Sequence, residues 1–248
     1  MTLASIETLA SSRYRKKLPH RVVPASDYGT VQQMKEDLPK MSRSADSIRD
    51  FGGLYLVHGR YLLEPAVSLG CTFASMIDIT PVPEFNDRIR AAKARNPALE
   101  VEFVNADYRK YQLYDRLRPV EISLLYEVLM HQENYVDVLR LVSSKTTKCI
   151  CIAQTCLKEL FFKLPGGSVL LQFFPEELKN ELREGSFWPK EEIPTDTFVT
   201  NNWMWGHSTS HIIEVMHGLG WDLEYGEVVD DVCGTYWEFP LLRFAPRK

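Results

Sequence analysis

The chain has 248 residues, of which 45% are hydrophobic and 25% are charged, and its formal net charge is −4. This is the composition of an average soluble protein, and the length is ample for one large core. The acidic balance excludes a broadly basic chain held to nucleic acid by bulk charge, and no apolar run approaches the roughly 18–20 residues of a membrane span.

The first residues and the cysteines bear on the compartment. The basic cluster Arg13–Lys17 follows the first mildly apolar stretch, whereas a secretory signal has the reverse order, so we expect a cytoplasmic protein. The five cysteines contain no CxxC pair. We therefore expect neither a disulfide framework nor structural zinc.

Residues 1–45 are polar and interrupted by prolines, and we interpret them as an N-terminal arm or lid helices. Within them, Thr30–Leu38 is a candidate for a short helix. Residues 46–248 are predicted to form the main domain, with an insert at 154–205.

From residue 47 onward, strand-like and helix-like segments alternate. The predicted strands are Ser47–Phe51, Thr72–Ile79, Val101–Val104, Glu121–Tyr126 and Lys148–Ala153, and the predicted helices between them are Leu54–Leu69, Phe85–Arg95 and Tyr135–Ser143. Such alternation predicts an α/β fold in which helices cover both faces of a parallel sheet through right-handed crossovers.

The alternation breaks after the fifth strand. Residues 154–205 are rich in aromatic side chains and too long for a simple connection, so we predict an inserted cap. A helix over Ser208–Leu219 is followed by two strand candidates, Asp222–Val229 and Tyr236–Phe244. Because no helix fits between these two, they should pair as an antiparallel hairpin, giving a seven-stranded, mostly parallel sheet.

Candidate ligand-binding residues lie at the carboxyl ends of the predicted strands, where open parallel sheets bind ligands. Asp50 near the end of the first strand is followed by Gly52 and Gly53, with Gly59 six residues further on, and glycines let the backbone approach a ligand closely. Asp78 ends the second strand, where an acid typically accepts hydrogen bonds from ribose hydroxyls.

Three more candidates follow the next two strands. Asp107 comes after the third strand, in position to accept a hydrogen bond from an adenine amino group, and Glu127 and His131 come after the fourth. Glycines after the first strand and acids after the second and third form one nucleoside-shaped site. Structural interpretations stay open: a tight turn at Asp50, a helix cap at Asp78, and a turn at Asp107.

These motifs resemble the class I S-adenosylmethionine-dependent methyltransferases. The similarity lies in DFGG from Asp50, MIDIT around Asp78, NADYR around Asp107, LLYEVLMHQ at 124–132, and the terminal hairpin. It implies a Rossmann-like fold with S-adenosylmethionine as cofactor. The glycine loop would hold its methionine part, Asp78 the ribose and Asp107 the adenine, with Glu127 near the methyl donor or the methionine amino group. In place of D-x-G-x-G-x-G the chain has the irregular glycine loop DFGGLYLVHG, in which Gly59 comes several residues late.

Methyl transfer needs mainly positioning and exclusion of water, because the cofactor supplies the leaving group. A hydroxyl acceptor also needs a base whose pKa lies near the working pH, which favours histidine. The candidate catalytic groups are His131, His207 and Glu127. Trp203 and Trp205, shortly before His207, form a candidate substrate wall, although aromatics such as those of 161–205 more often form the core of the cap itself.

The leading hypothesis is a methyltransferase that acts on a hydroxyl or amine of a small, natural-product or sugar-like molecule. One alternative is an NAD(P)-dependent oxidoreductase, since Asp78 also fits a dinucleotide ribose; another is a non-catalytic S-adenosylmethionine-binding protein, for which the irregular glycine loop argues. We expect no metal, because an isolated HxxxH such as His207 and His211 commonly arises by chance. We expect neither a nucleic-acid nor a membrane partner, and a homodimer is left open.

Overall fold

A computed structural model describes residues 18–24, 27–54, 57–158, 167–170, 205–230 and 237–248. The strands are β1 His20–Val22, β2 Ser47–Phe51, β3 Phe73–Asp78, β4 Glu100–Asn105, β5 Val120–Tyr126, β6 Thr146–Ala153, β7 Cys156–Leu157, β8 Ser168–Leu170, β9 Trp205–His207, β10 Trp221–Asp230 and β11 Trp237–Pro246. The helices are α1 Tyr28–Lys40, α2 Arg60–Leu69, α3 Pro83–Arg95, α4 Tyr111–Arg116, α5 Tyr135–Ser144 and α6 Thr209–Gly218, with a short 3-10 turn at Leu129–His131.

The central sheet has the strand order β1-β10-β11-β6-β5-β2-β3-β4 over the described ranges, with β7 paired to β11. Strands β2 to β6 are mutually parallel, whereas β11 is antiparallel to both β6 and β10. The predicted parallel units and the terminal hairpin are therefore confirmed. The strand order reverses between β2 and β5, and ligands of open α/β sheets bind beside such a point.

Two apolar layers sandwich this sheet, because successive residues of a strand face opposite sides. In β5, Leu124 packs with the layer under α1, α2 and α3, while Leu125 packs with the layer under α4, α5 and α6. The same alternation recurs in β6 between Cys151 and Ile152. Burial on both faces explains the apolar runs at 124–126 in β5 and 149–153 in β6.

The predicted helix start at Leu54 is wrong, since α2 begins at Arg60. The residue before it, Gly59, has a left-handed φ of 76°, which ends any helical run from the amino side. Its amide donates to the Gly53 carbonyl at 3.1 Å and closes the loop. A Cβ at Gly59 would overlap the ring of Phe85, so packing alone requires glycine there.

The described residues before position 46 pack onto the sheet. Strand β1 pairs in parallel with β10, and α1 packs against α2, β6 and β11. Helix α4 and strands β1, β7, β8 and β9 were not predicted. Most of the predicted insert 154–205 lies outside the described residues, and so does Trp203.

Among the described residues, no helix is long and apolar enough to cross a membrane. The four cysteines in those ranges are buried thiols. No cluster of metal-ligating side chains occurs there either.

Candidate functional site

The glycine loop after β2 lies at the reversal point of the sheet. Gly52 has a φ of 80°, and its amide donates to the Ile77 carbonyl at 2.8 Å. A Cβ there would stand 2.9 Å from Cγ1 of Val128 and 3.4 Å from the Tyr108 ring. Both the conformation and the close approach of the loop after β5 therefore require glycine at this position.

Beneath the loop, Asp50 is fully buried, and neither carboxylate oxygen has a hydrogen-bond partner of good geometry in the described part of the chain. Burial, followed by the charge of Asp78, raises the pKa of the Asp50 carboxyl to about 7, against the opposing effects of the Phe51 amide and Lys35. A Cβ at Gly53 would overlap this carboxylate. A buried carboxylate without a partner is costly, and its presence points to a ligand that supplies a cation or hydrogen-bond donors.

Asp78 lies beside the same loop. Its Oδ2 accepts from the Leu54 amide at 3.2 Å, and its Oδ1 accepts from the Thr80 amide at 3.1 Å. It does not cap a helix, because α3 begins at Pro83 with Val82 as its N-cap. Next to Asp78, the apolar Ile79 side chain is 62% exposed, which suits contact with a flat apolar group.

Asp107 sits on the flank of this site and already has a partner. Its carboxylate accepts from Nε of Arg109 at 2.7 Å and from Nη2 at 2.8 Å, and these bonds hold the pKa of the Asp107 carboxyl below its usual range. The following Tyr108 packs edge-on against Phe51 and accepts from Nε2 of Gln132 at 2.6 Å. A ligand that used Asp107 would share it with Arg109.

Glu127 directly follows β5 in a strained conformation. Its φ is 57°, in the left-handed region that costs a non-glycine residue about 1–2 kcal/mol. Its amide donates to the Ala153 carbonyl at 2.7 Å, and its Oε2 accepts from Nζ of Lys35 at 2.5 Å. Strain of this kind is typical of functional sites, where the surrounding structure enforces it.

Lys35 was missed in the sequence, although a signal was present. Val31, Lys35 and Leu38 recur at helical spacing, and all three are buried. A lysine inside an apolar stripe is unusual and indicates a buried partner.

His131 ends the 3-10 turn after β5. Its side chain is exposed to solvent, yet crowding by protein atoms lowers its pKa, and the charge of Glu127 only partly opposes this. The predicted site residue His131 thus lies close enough to Glu127 to feel its charge.

His207 is buried in β9 rather than facing a cleft. Its Nδ1 lies 2.9 Å from Oγ of Ser168, and burial lowers its pKa to about 3, with a smaller contribution from His211. The imidazole is thus neutral and a weak proton acceptor near neutral pH. His207 can orient a neighbouring group better than it can remove a proton.

Trp205 stacks on His207, with ring centroids 6.0 Å apart, and the structure adds two further partners. The Tyr135 ring centroid lies 5.6 Å from that of Trp205 and 4.4 Å from that of His207, and its hydroxyl is 2.6 Å from Nε2 of His211. The indole of Trp205 donates to the Gln132 carbonyl at 2.9 Å. Tyr135 and His211 escaped prediction because two separate helices bring them together.

No protein-family model matches the sequence, and no curated protein sequence is significantly similar to it. Solved structures do match. An O-methyltransferase family protein from Burkholderia thailandensis shares 12% identity at a TM-score of 0.57, over 90% of this chain and 58% of that one, so this chain spans less than two thirds of its length.

Two further neighbours are N-methyltransferases with bound ligands. Coclaurine N-methyltransferase, bound to N-methylheliamine and S-adenosylhomocysteine, shares 13% identity at a TM-score of 0.59 over 86% of this chain and 72% of that one. The Burkholderia thailandensis 1,6-didemethyltoxoflavin-N1-methyltransferase, with bound 1,6-didemethyltoxoflavin and S-adenosylhomocysteine, shares 11% identity at a TM-score of 0.56. The match covers 90% of this chain and 80% of that one. At such identities the likeness establishes the fold, which is that of the class I methyltransferases.

Proposed function

We propose that this chain, on a class I methyltransferase fold, binds S-adenosylmethionine and transfers its methyl group to a hydroxyl or amine of a small natural-product or sugar-like molecule. We propose further that it acts in the cytoplasm. The homodimer stays a prediction.

The observation that carries the proposal is the buried Asp50 carboxylate without a partner, under a loop that tolerates side chains at neither Gly52 nor Gly53. An α-ammonium group would supply the missing positive charge and donors. Because Gly52 and Gly53 carry no side chains, a ligand can approach the backbone of the loop closely. These residues fit the amino-acid part of S-adenosylmethionine.

The remaining residues fit the rest of the cofactor. Asp78, partly exposed beside the loop, would accept hydrogen bonds from the ribose hydroxyls. Asp107, after β4, would accept a hydrogen bond from the adenine amino group. The exposed Ile79 would cover one face of the adenine ring. When bound, the cofactor supplies an electrophilic methyl group on a good leaving group, so this chain mainly positions the acceptor and excludes water.

On the acceptor side, two features support a small ring-containing molecule. Trp205 and Tyr135 are partly exposed aromatic rings next to the loop after β5, and the exposed His131 ends the 3-10 turn in the same loop. Of the predicted bases, His131 suits proton removal best, since solvent reaches it. His207 would orient the acceptor, and Glu127 would contact the cofactor side.

Calorimetry with S-adenosylhomocysteine tests the proposal. We expect binding by the wild type and at least about tenfold weaker binding by Asp50→Asn, which corresponds to about 1.4 kcal/mol. The matched control is Asp46→Asn, directly before the start of β2, where the side chain is exposed. Binding of NADH without binding of S-adenosylhomocysteine would instead support the oxidoreductase.

A further inference from the structure

A buried ion pair joins α1 to the residue after β5. The Lys35 side chain is 1% exposed and Glu127 is 23% exposed, and Nζ lies 2.5 Å from Oε2. The ammonium also donates to the Tyr28 hydroxyl at 3.4 Å. An ammonium has three donors, and within the described ranges these two acceptors are the hydrogen-bond partners of Nζ.

Aromatic rings enclose the rest of the ammonium. Nζ lies 5.2 Å from the ring centroid of Tyr61 and 4.8 Å from that of Phe239. Rings stabilise a cation but do not accept its remaining proton as a carboxylate would. The Tyr61 hydroxyl is itself buried without a hydrogen-bond partner in the described part of the chain.

The surroundings therefore hold one buried cation and two carboxylates of different kinds. Asp50 is fully buried without a partner, and Lys35 lies near enough to lower its pKa, against the larger effect of burial. Glu127 is partly exposed and can turn toward solvent at little cost in hydration, whereas Lys35 cannot. An entering carboxylate would thus replace Glu127 as the partner of Lys35, and an entering ammonium would pair with Asp50.

We propose that Lys35 binds the carboxylate of an α-amino-acid group, which enters between Lys35 and Glu127, while Asp50 and Glu127 take the ammonium of the same group. In the ligand-free protein, Lys35 and Glu127 pair with each other at this site. An α-amino-acid group carries one positive and one negative charge, so its binding leaves the net charge of the site unchanged. Because Lys35 belongs to α1, occupation of the site also fixes this helix against the sheet. The inference rests on the proposed function, since S-adenosylmethionine is the ligand that carries this group.

The test compares S-adenosylhomocysteine with its decarboxylated analogue by calorimetry. We expect the wild type to bind the decarboxylated analogue at least about tenfold more weakly, as loss of a charge-assisted bond predicts. Lys35→Met should lose a similar factor for S-adenosylhomocysteine and keep its affinity for the analogue within about twofold. The matched control is Lys40→Met, since Lys40 lies on the same helix and pairs with Asp37 at the surface.

The outcomes separate the role of Lys35 from the proposed binding of S-adenosylmethionine. Equal loss of affinity for both ligands in Lys35→Met would assign Lys35 a purely structural role and overturn the inference. Should Lys35→Met fail to fold, the wild type decides alone, because equal affinity for the two ligands equally overturns it. If the wild type binds neither ligand, the proposed function fails as well, whereas binding of S-adenosylhomocysteine keeps that proposal intact.

Discussion

The charge of Asp50 should destabilise the ligand-free protein, so Asp50→Asn should stabilise it at alkaline pH while it weakens ligand binding. The carboxyl is fully buried, and its pKa is raised from 3.8 to about 7, chiefly by burial. The unfolded chain releases this proton near the lower value and the folded chain near the higher one. Between the two, the folded state holds more protons, so its stability falls as pH rises.

The magnitude follows from the two pKa values. At about 1.4 kcal/mol per pKa unit, ionising Asp50 costs the folded state up to about 4 kcal/mol above pH 7. Asparagine leaves a buried amide at the same place and costs a pH-independent amount, about 1–3 kcal/mol. The variant cancels the titration, so the difference between the two proteins should change by about 3 kcal/mol between about pH 5 and pH 8.

Urea unfolding of the ligand-free proteins at the two pH values measures this difference. Asp46→Asn is the control and should follow the wild type at both, since its side chain is exposed. A difference between Asp50→Asn and wild type that stays constant with pH would refute the reasoning. The carboxyl would then have a partner that the geometry does not reveal.

Three further changes test other parts of the site. Gly53→Ala should place a methyl group in the Asp50 carboxylate, cost about 2 kcal/mol or more in urea unfolding, and weaken S-adenosylhomocysteine binding at least about tenfold; unchanged affinity would remove the loop from the site. Glu127→Gly should relieve about 1 kcal/mol of backbone strain but leave the buried Lys35 ammonium without its carboxylate, so the free energy of unfolding should fall by about 2–4 kcal/mol. A more stable variant would contradict the buried pair. The wild type should lose stability as pH falls from about 6.5 toward 3, because the unfolded imidazole takes up its proton near 6.5 and the folded one only near 3. His207→Gln should abolish this loss. If the free energies of unfolding of the two proteins fall in parallel with pH, His207 lies in solvent.

The sheet and its ligand end were predictable because they depend on local patterns. Strands buried on both faces are rich in apolar residues, and the acids Asp50 and Asp78 stand at the carboxyl ends of two such strands. Parallel strands bring their carboxyl ends to one edge, so position along the chain places these residues together. Gly52 and Gly53 were recognisable for the same reason, since a tight turn leaves its mark in consecutive residues.

Contacts between distant segments were not predictable in this way. The start of α2 depends on the left-handed backbone of Gly59 under the Phe85 ring, which no helical periodicity reveals. The burial of His207, and with it a pKa of about 3, comes from β8 and β9 folding over the loop after β5. The same residue in an exposed helix start would be an ordinary base.

The sequence by itself determined the order of the elements and which acids face the ligand edge, since both depend on the period of apolar residues and on where each run stops. Only the tertiary structure decided the charge balance of the site. Lys35 and Glu127 are 92 positions apart, and their pairing depends on how α1 packs across the sheet. Whether Asp50 has a hydrogen-bond partner depends on all the groups that surround it, and these come together only when the chain folds.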